Sequence, residues 1–240
     1  MFTKKKFARR SLWKQYGISL AEIAIVLGIM GVVTYGVWSM VSQGWEQTRR
    51  EQAEEAIAGI VRDTRAFYAG RDGIPIGESY VTTTHNLLKS HVIPGNLLRN
   101  PDDCKVGTCI ADTPWGSYEG NNKVPDGTLH VCGWELGNTS DPCYKGKPAG
   151  TLPYQFFGVT LLGLNMGSCI ALANKISSTL GPPGLIEVNI NGCNLSTGNG
   201  CKLGKATNMQ PIKAENLNAE CGKTKPAHVT FVYRMMLPTN

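Results

Sequence analysis

Apolar and polar positions along these 240 residues follow two different rules in the first third of the chain. From Ile23 to Trp45 there is no charged residue, and the run IAIVLGIMGVVTYGVW is greasy on every side of a helix. About 20 such residues suffice to cross the hydrocarbon core of a bilayer; here there are twenty-three. Beyond Trp45 the pattern becomes one-sided. Ala53, Ala56, Ile57, Ile60, Val61, Thr64, Phe67 and Tyr68 recur at three- and four-residue spacing, the signature of an amphipathic helix. Glu46–Arg50 and Arg50–Glu54 form i,i+4 pairs that support its solvated face. No proline precedes Pro75, so one uninterrupted helix is predicted from Ile18 to the stop at Gly70 and the following Arg-Asp-Gly.

The remainder is less regular. Residues 71–150 are rich in Gly, Pro, Asn, Asp and Thr, and read as loops with brief strands. NLLKSHVIPGNLL predicts one short helix before Pro94. From 151 onward, PYQFFGVTLL predicts a strand, and SCIALANKISSTL a helix ended by Gly-Pro-Pro. LIEVNING then predicts a strand and turn, and AHVTFVYRMML a final strand. A long helix followed by several strands implies an α+β fold with an antiparallel sheet.

Charge sharpens this picture. The net charge is +6, yet Lys4, Lys5, Lys6, Arg9, Arg10 and Lys14 all fall in residues 1–17, which hold no acid. Without those six, 18 basic residues balance 18 acidic ones, so the basic excess is a leader and not a nucleic-acid surface. By the positive-inside rule the leader stays in the cytoplasm and the residues after the apolar run cross the membrane. All eight cysteines lie on that far side: Cys104, Cys109, Cys132, Cys143, Cys169, Cys193, Cys201 and Cys221. An even number in an oxidising compartment reads as a disulfide framework. Metal binding is the weaker reading, since there is no C-x-x-C and the four histidines are scattered. Close neighbours suggest Cys104–Cys109 and Cys132–Cys143, although eight cysteines allow 105 connectivities.

Catalytic chemistry finds little support. Ser168 in M-G-S-C-I lacks the second glycine of a nucleophile elbow. GNGCKLGKA has the wrong glycine spacing for a phosphate loop, with Ala206 where Ser or Thr is needed. Asp102, Asp103 and Asp112 read as solvated loop acids, and the sequons at Asn138 and Asn194 as polar turns. No enzyme, cofactor or metal is expected. A cleaved secretory signal fits poorly too, because the apolar run is too long and no A-x-A follows it.

One feature remains, a carboxylate at the entrance of the apolar run. Gly17-Ile18-Ser19-Leu20-Ala21-Glu22 has a glycine, a new first residue, and a glutamate at new position five. With the basic leader and the proline-free helix, this resembles the prepilin peptidase recognition segment of type IV pilins and pseudopilins. The resemblance is specific over residues 10–70 and patchy beyond. It implies cleavage after Gly17, methylation of the new amine of Ile18, and pairing of Glu22 with that amine on a neighbouring subunit. A slip in stagger would then orphan both charges in a dry bundle. The seventeen-residue leader, the non-Phe first residue, the PWG at Pro114–Gly116 and a cysteine-bearing later helix resemble the type IVb subgroup, including toxin-coregulated and conjugative-plasmid types. That subgroup implies Cys169–Cys221, with Cys193–Cys201 as a smaller local loop.

The organisation implied is a leader at 1–17, a long helix at 18–70 with 18–45 as membrane and filament-core part, and a disulfide-stapled head at 71–240. The fold implied is that of a type IV pilin: the long helix packed on an antiparallel sheet. The expected partners are further copies of the chain, the prepilin peptidase and pilus assembly machinery, the inner membrane, and a host or recipient cell surface. A filament used in adhesion or conjugative contact is the function implied. A minor pilin or pseudopilin priming or tipping a filament, and a signal-anchored periplasmic protein that never polymerises, are the alternatives. The sequence departs from many pilins at Ser39, where those have a proline. Gly28, Gly31 and Gly36 still weaken the helix there, each by about 0.8–1 kcal/mol relative to Ala, so unwinding around residues 31–40 is expected within a filament.

Overall fold

The computed structural model describes residues 19–71, 73–75, 80–98, 110–116, 127–134, 154–178, 181–191, 193–194, 212, 214–223 and 227–236. The chain divides into two compact units, Met1–Trp45 and Glu46–Asn240. Helix α1 runs without interruption from Leu20 to Tyr68 and contributes to both. Within the second unit, Ala53, Ile57, Ile60, Val61, Thr64 and Tyr68 are buried, as the periodicity predicts. Phe67 departs from that stripe. It lies at the edge and stays 36% exposed, held edge-on against Tyr68 with Arg71 5.9 Å from its ring centre. Glu54 is engaged by Lys175 at 2.5 Å, while Arg50 faces Glu46.

Among the described residues the sheet has six antiparallel strands in the order β1-β2-β3-β6-β4-β5. These are β1 (Ala111–Asp112), β2 (Thr128–Trp134), β3 (Phe156–Leu164), β4 (Leu185–Ile190), β5 (Cys193–Asn194) and β6 (Ala227–Arg234). β6 is the last strand in sequence but lies centrally between β3 and β4, pairing Val159 with Phe231 and Val188 with Phe231 on either side. One sheet face carries Leu129, Val131, Val159, Leu161, Val188, Val229 and Phe231 into the same core as Ile57 and Ile60 of α1. Fully burying each such side chain stabilises by about 1.5–3 kcal/mol, which fixes α1 on that face. The architecture is therefore α+β, a long N-terminal helix on an antiparallel sheet.

The opposite sheet face is also covered. Trp134 lies across the strands, and its indole N–H donates to Glu187 at 3.2 Å. A Cβ at Gly158 would sit 2.9 Å from that ring and 3.0 Å from the Thr230 methyl. Glycine is what lets the ring lie flat there. A row of polar side chains crosses the same face, with the Thr160 and Thr230 hydroxyls 2.8 Å apart and His130 Nε2 2.8 Å from Thr128 Oγ1. Burial pushes the His130 pKa down to about 4.

Among the described residues the second unit has three further α-helices, and each departs in some way from the sequence reading. α2 spans Tyr80–Lys89, earlier than the helix expected in NLLKSHVIPGNLL. Its Val81 and the run Thr82-Thr83-Thr84 argue locally for strand, but tertiary packing decides: Leu87 and Leu88 enter the core. The Thr84 hydroxyl accepts the Val131 N–H at 3.0 Å and donates to the Val131 carbonyl at 3.2 Å. α3 spans Met166–Ser177 and stops before the predicted Gly-Pro-Pro, where the Ser178 hydroxyl donates to the Lys175 carbonyl at 2.5 Å. α4 (Ala214–Cys221) has no counterpart in the sequence reading. It is short and polar, with Leu217 and Cys221 as its buried apolar contacts.

A disulfide joins Cys169 on α3 to Cys221 on α4 across a sequence separation of 52, with Cα atoms 5.9 Å apart. This is the pair the resemblance implies. Cys132 is also disulfide-bonded, and no described cysteine is free. Cys143, its expected partner, lies outside the described residues, as do Cys104, Cys109, Cys201 and the side chain of Cys193.

Two stability predictions follow from this core. Replacing Cys169 and Cys221 by serine reopens a loop whose closure is worth about 4 kcal/mol in the chain-entropy model; chemical denaturation should show a loss of that order. His130 binds its proton at 6.5 when unfolded and near 4 when folded, so the unfolded state takes up the proton first on acidification. Stability should fall by roughly 3 kcal/mol over that interval, and His130→Gln should flatten the fall in pH-dependent urea titrations.

Candidate functional site

The first unit presents two features. Its helix opens with a reciprocal pair of bonds: the Ser19 N–H donates to Glu22 Oε2 at 2.8 Å, and the Glu22 N–H donates to Ser19 Oγ at 3.2 Å. This is a capping box, which satisfies amides that a helix start otherwise leaves open. The S-x-x-E spacing that announces it was available in the sequence and was overlooked there. Gly17 and Ile18, the expected cleavage and methylation positions, lie outside the described residues.

The second feature is the apolar run itself. Its large side chains stay exposed throughout, from Leu20 at 86% to Val41 at 38%. This helix is long and apolar enough to cross a membrane. It continues through Gly28, Gly31, Gly36 and Ser39, and nothing lies within 4 Å of the place a Cβ would take at the three glycines. The isolated chain thus holds helical geometry where filament unwinding is expected.

In the second unit a single carboxylate gathers several donors. Glu46 Oε1 accepts the Trp115 indole N–H at 2.9 Å, the Asn165 amide at 2.9 Å, and the Ser168 hydroxyl. Arg50 adds its guanidinium at 3.9 Å. Each donor arrives for a local reason. Trp115 belongs to the Pro-Trp-Gly turn, which Gly116 closes at φ 76° through its N–H to the Thr113 carbonyl. Asn165 is the N-cap of α3 and accepts the Ser168 N–H at 2.8 Å. Burial raises the Glu46 pKa, but the bonds from Ser168, Asn165 and Trp115 and the charge of Arg50 outweigh it and hold the carboxyl below its ordinary value. The carboxylate clamps α1, the turn at 113–116 and the start of α3 together.

Ser168 is buried and donates its hydroxyl to Glu46. Asp112 lies on β1 and Asn194 on β5, while Asp102, Asp103 and Asn138 lie outside the described residues. A groove of about 890 Å³ runs beside α1, walled by Gln52, Glu55, Asn96 and Asp112 among others. Its Arg62 and Asp63 pair with each other at 2.7 Å. Among the described residues no group of three metal-ligating side chains occurs.

Because the Glu46 pKa is depressed on folding, its stabilisation is complete above the unfolded carboxyl value and is lost as pH falls through the folded one. Glu46→Gln should therefore destabilise the head at neutral pH and make its stability less sensitive to acid than the parent. Thermal melts at pH 7 and pH 3 check both signs.

No family model and no curated protein matches this chain. Among solved structures, the crystal structure of a type IVb pilin from Salmonella typhi is similar over 77% of this chain and 99% of that one. The identity is 17% and the TM-score 0.48.

Proposed function

We propose that this chain is a prepilin, cut after Gly17 and assembled into a type IVb-like filament through its N-terminal helix. The observation that carries the reading is the dual character of α1. One helix is exposed and apolar over its first half, then buries a stripe in a folded head over its second. Such a first half needs a covering, which a bilayer supplies before assembly and the helices of other copies supply afterwards. The basic leader and the glycine–glutamate spacing support processing at Ile18, whose freed amine is the methylation position. Residues 18–45 are then the filament core and the disulfide-stapled head its outer surface.

Glu22 has two successive partners in this scheme. In the single chain its carboxylate accepts the Ser19 amide, a cap worth about 1 kcal/mol. In the filament it meets the positive amine of a neighbour's Ile18. In a dry core an amine or a carboxylate left unpaired is costly, so this pairing favours assembly in the correct stagger. The filament's role is surface attachment or conjugative contact, and no catalysis is involved.

Two outcomes are expected. Mass spectrometry of the mature protein should find a chain beginning at Ile18; one beginning at Met1 would overturn the reading. Glu22→Ala should still insert into membranes yet reduce sheared filament yield at least tenfold, or about 1.4 kcal/mol of assembly free energy; undiminished filaments would remove the amine–carboxylate register.

A further inference from the structure

We propose that Trp38 and Trp45 form an aromatic anchor at the outer boundary of a bilayer. They set the depth at which the unassembled chain is held, with the capped Glu22 at the inner boundary. This rests on the reading of α1 as membrane-spanning and adds its vertical register.

Residues 20–34 contain no aromatic side chain. Tyr35, Trp38 and Trp45 all fall in the second half of the apolar run, where Ser39, Ser42 and Gln43 also dilute the aliphatic residues. Trp38 and Trp45 stand two helical turns apart, so their rings share one face. Their centroids are 6.4 Å apart in an edge-on arrangement at 73°. Both remain open, Trp38 at 66% and Trp45 at 60%, and Tyr35 is 78% exposed one turn before them. An indole combines a large apolar ring with an N–H that wants a polar partner, and this places it at the level of lipid headgroups.

Helical rise turns the pattern into a depth. From Glu22, Trp38 is about 24 Å along the axis and Trp45 about 34 Å, at 1.5 Å per residue. These values bracket the hydrocarbon thickness of about 30 Å. With Glu22 at the inner edge, one indole lies just inside the outer edge and the other just beyond it. The edge-on pair straddles that boundary. The capping bonds to Ser19 hold the carboxylate at the helix start, where headgroups and water can reach it. A shift of one helical turn outward would carry Glu22 into hydrocarbon, and one inward would draw Trp38 deeper and bring Trp45 inside the hydrocarbon edge.

Depth-dependent fluorescence quenching tests this on the full chain. It is placed in vesicles of equal phosphatidylcholine and phosphatidylglycerol, brominated either near the headgroup end or near the methyl end of the acyl chains. The same measurement on Trp38→Phe/Trp45→Phe subtracts Trp13, Trp115 and Trp134. Both replaced residues are exposed, so far-ultraviolet circular dichroism should be unchanged. The expected result is stronger quenching by shallow than by deep bromine, with loss of most of that difference in the double variant. Dominant quenching by deep bromine, or a double variant indistinguishable from the parent, would overturn the anchor. So would a double variant with normal depth profile but reduced filament yield, which would make the pair a contact between copies. Retention on vesicles after alkaline carbonate washing reports spanning separately: release overturns the membrane reading, whereas retention with the wrong depth overturns the anchor alone.

Discussion

The burial of one stripe of α1 against the sheet is the contact on which the rest of the head depends. Ala53, Ile57, Ile60, Val61, Thr64 and Tyr68 lie on a single side of the helix, and the strand side chains that receive them come from β2, β3, β4 and β6. Strands from both halves of the sheet are thereby tied to one rigid element. The last strand closes between β3 and β4, so the core is complete only when the C-terminal segment has returned to the helix laid down first. Arg65 reinforces that closure from the helix side, donating to the carbonyls of Arg234 at 3.0 Å and Pro183 at 2.7 Å.

Charge at the two ends of the apolar run is handled in contrasting ways. At Glu22 the carboxylate accepts one bond, from the Ser19 amide of its own chain, in an exposed setting where a further partner can reach it. At Glu46 four donors from three parts of the head converge on one oxygen or its neighbourhood, and no rearrangement of one donor frees it. The first acid is suited to changing partners and the second to holding position.

The parts legible in the sequence were those in which a single periodicity runs long enough to outweigh local preference. Helix α1 is one such case, and β3, α3, β4 and β6 are others, their boundaries displaced by a few residues. α2 was misplaced because Thr82, Thr83 and Thr84 favour an extended backbone, whereas the deciding contacts of Leu87 and Leu88 come from residues distant in sequence. α4 was missed because eight residues with few apolar positions carry almost no periodic signal. The i,i+4 spacing predicts a helix ion pair between Glu46 and Arg50, and that pair exists at 3.9 Å. Its bonds to Trp115, Asn165 and Ser168 join residues 69 to 122 positions apart, which no local spacing reveals. The capping box at Ser19 and Glu22 was readable from a four-residue motif, but attention to Glu22 as an intermolecular partner hid its intramolecular one.

The manner in which the sheet ends has a consequence for how copies of the head meet one another. β1 and β5 at its two borders are two residues long each, and farther along β2 the threonine hydroxyl of α2 occupies both backbone groups of Val131. Long free borders invite strand-to-strand association of neighbouring molecules, the route to aggregation and amyloid. With its borders this short and partly occupied, the head offers crowded copies little purchase for backbone pairing.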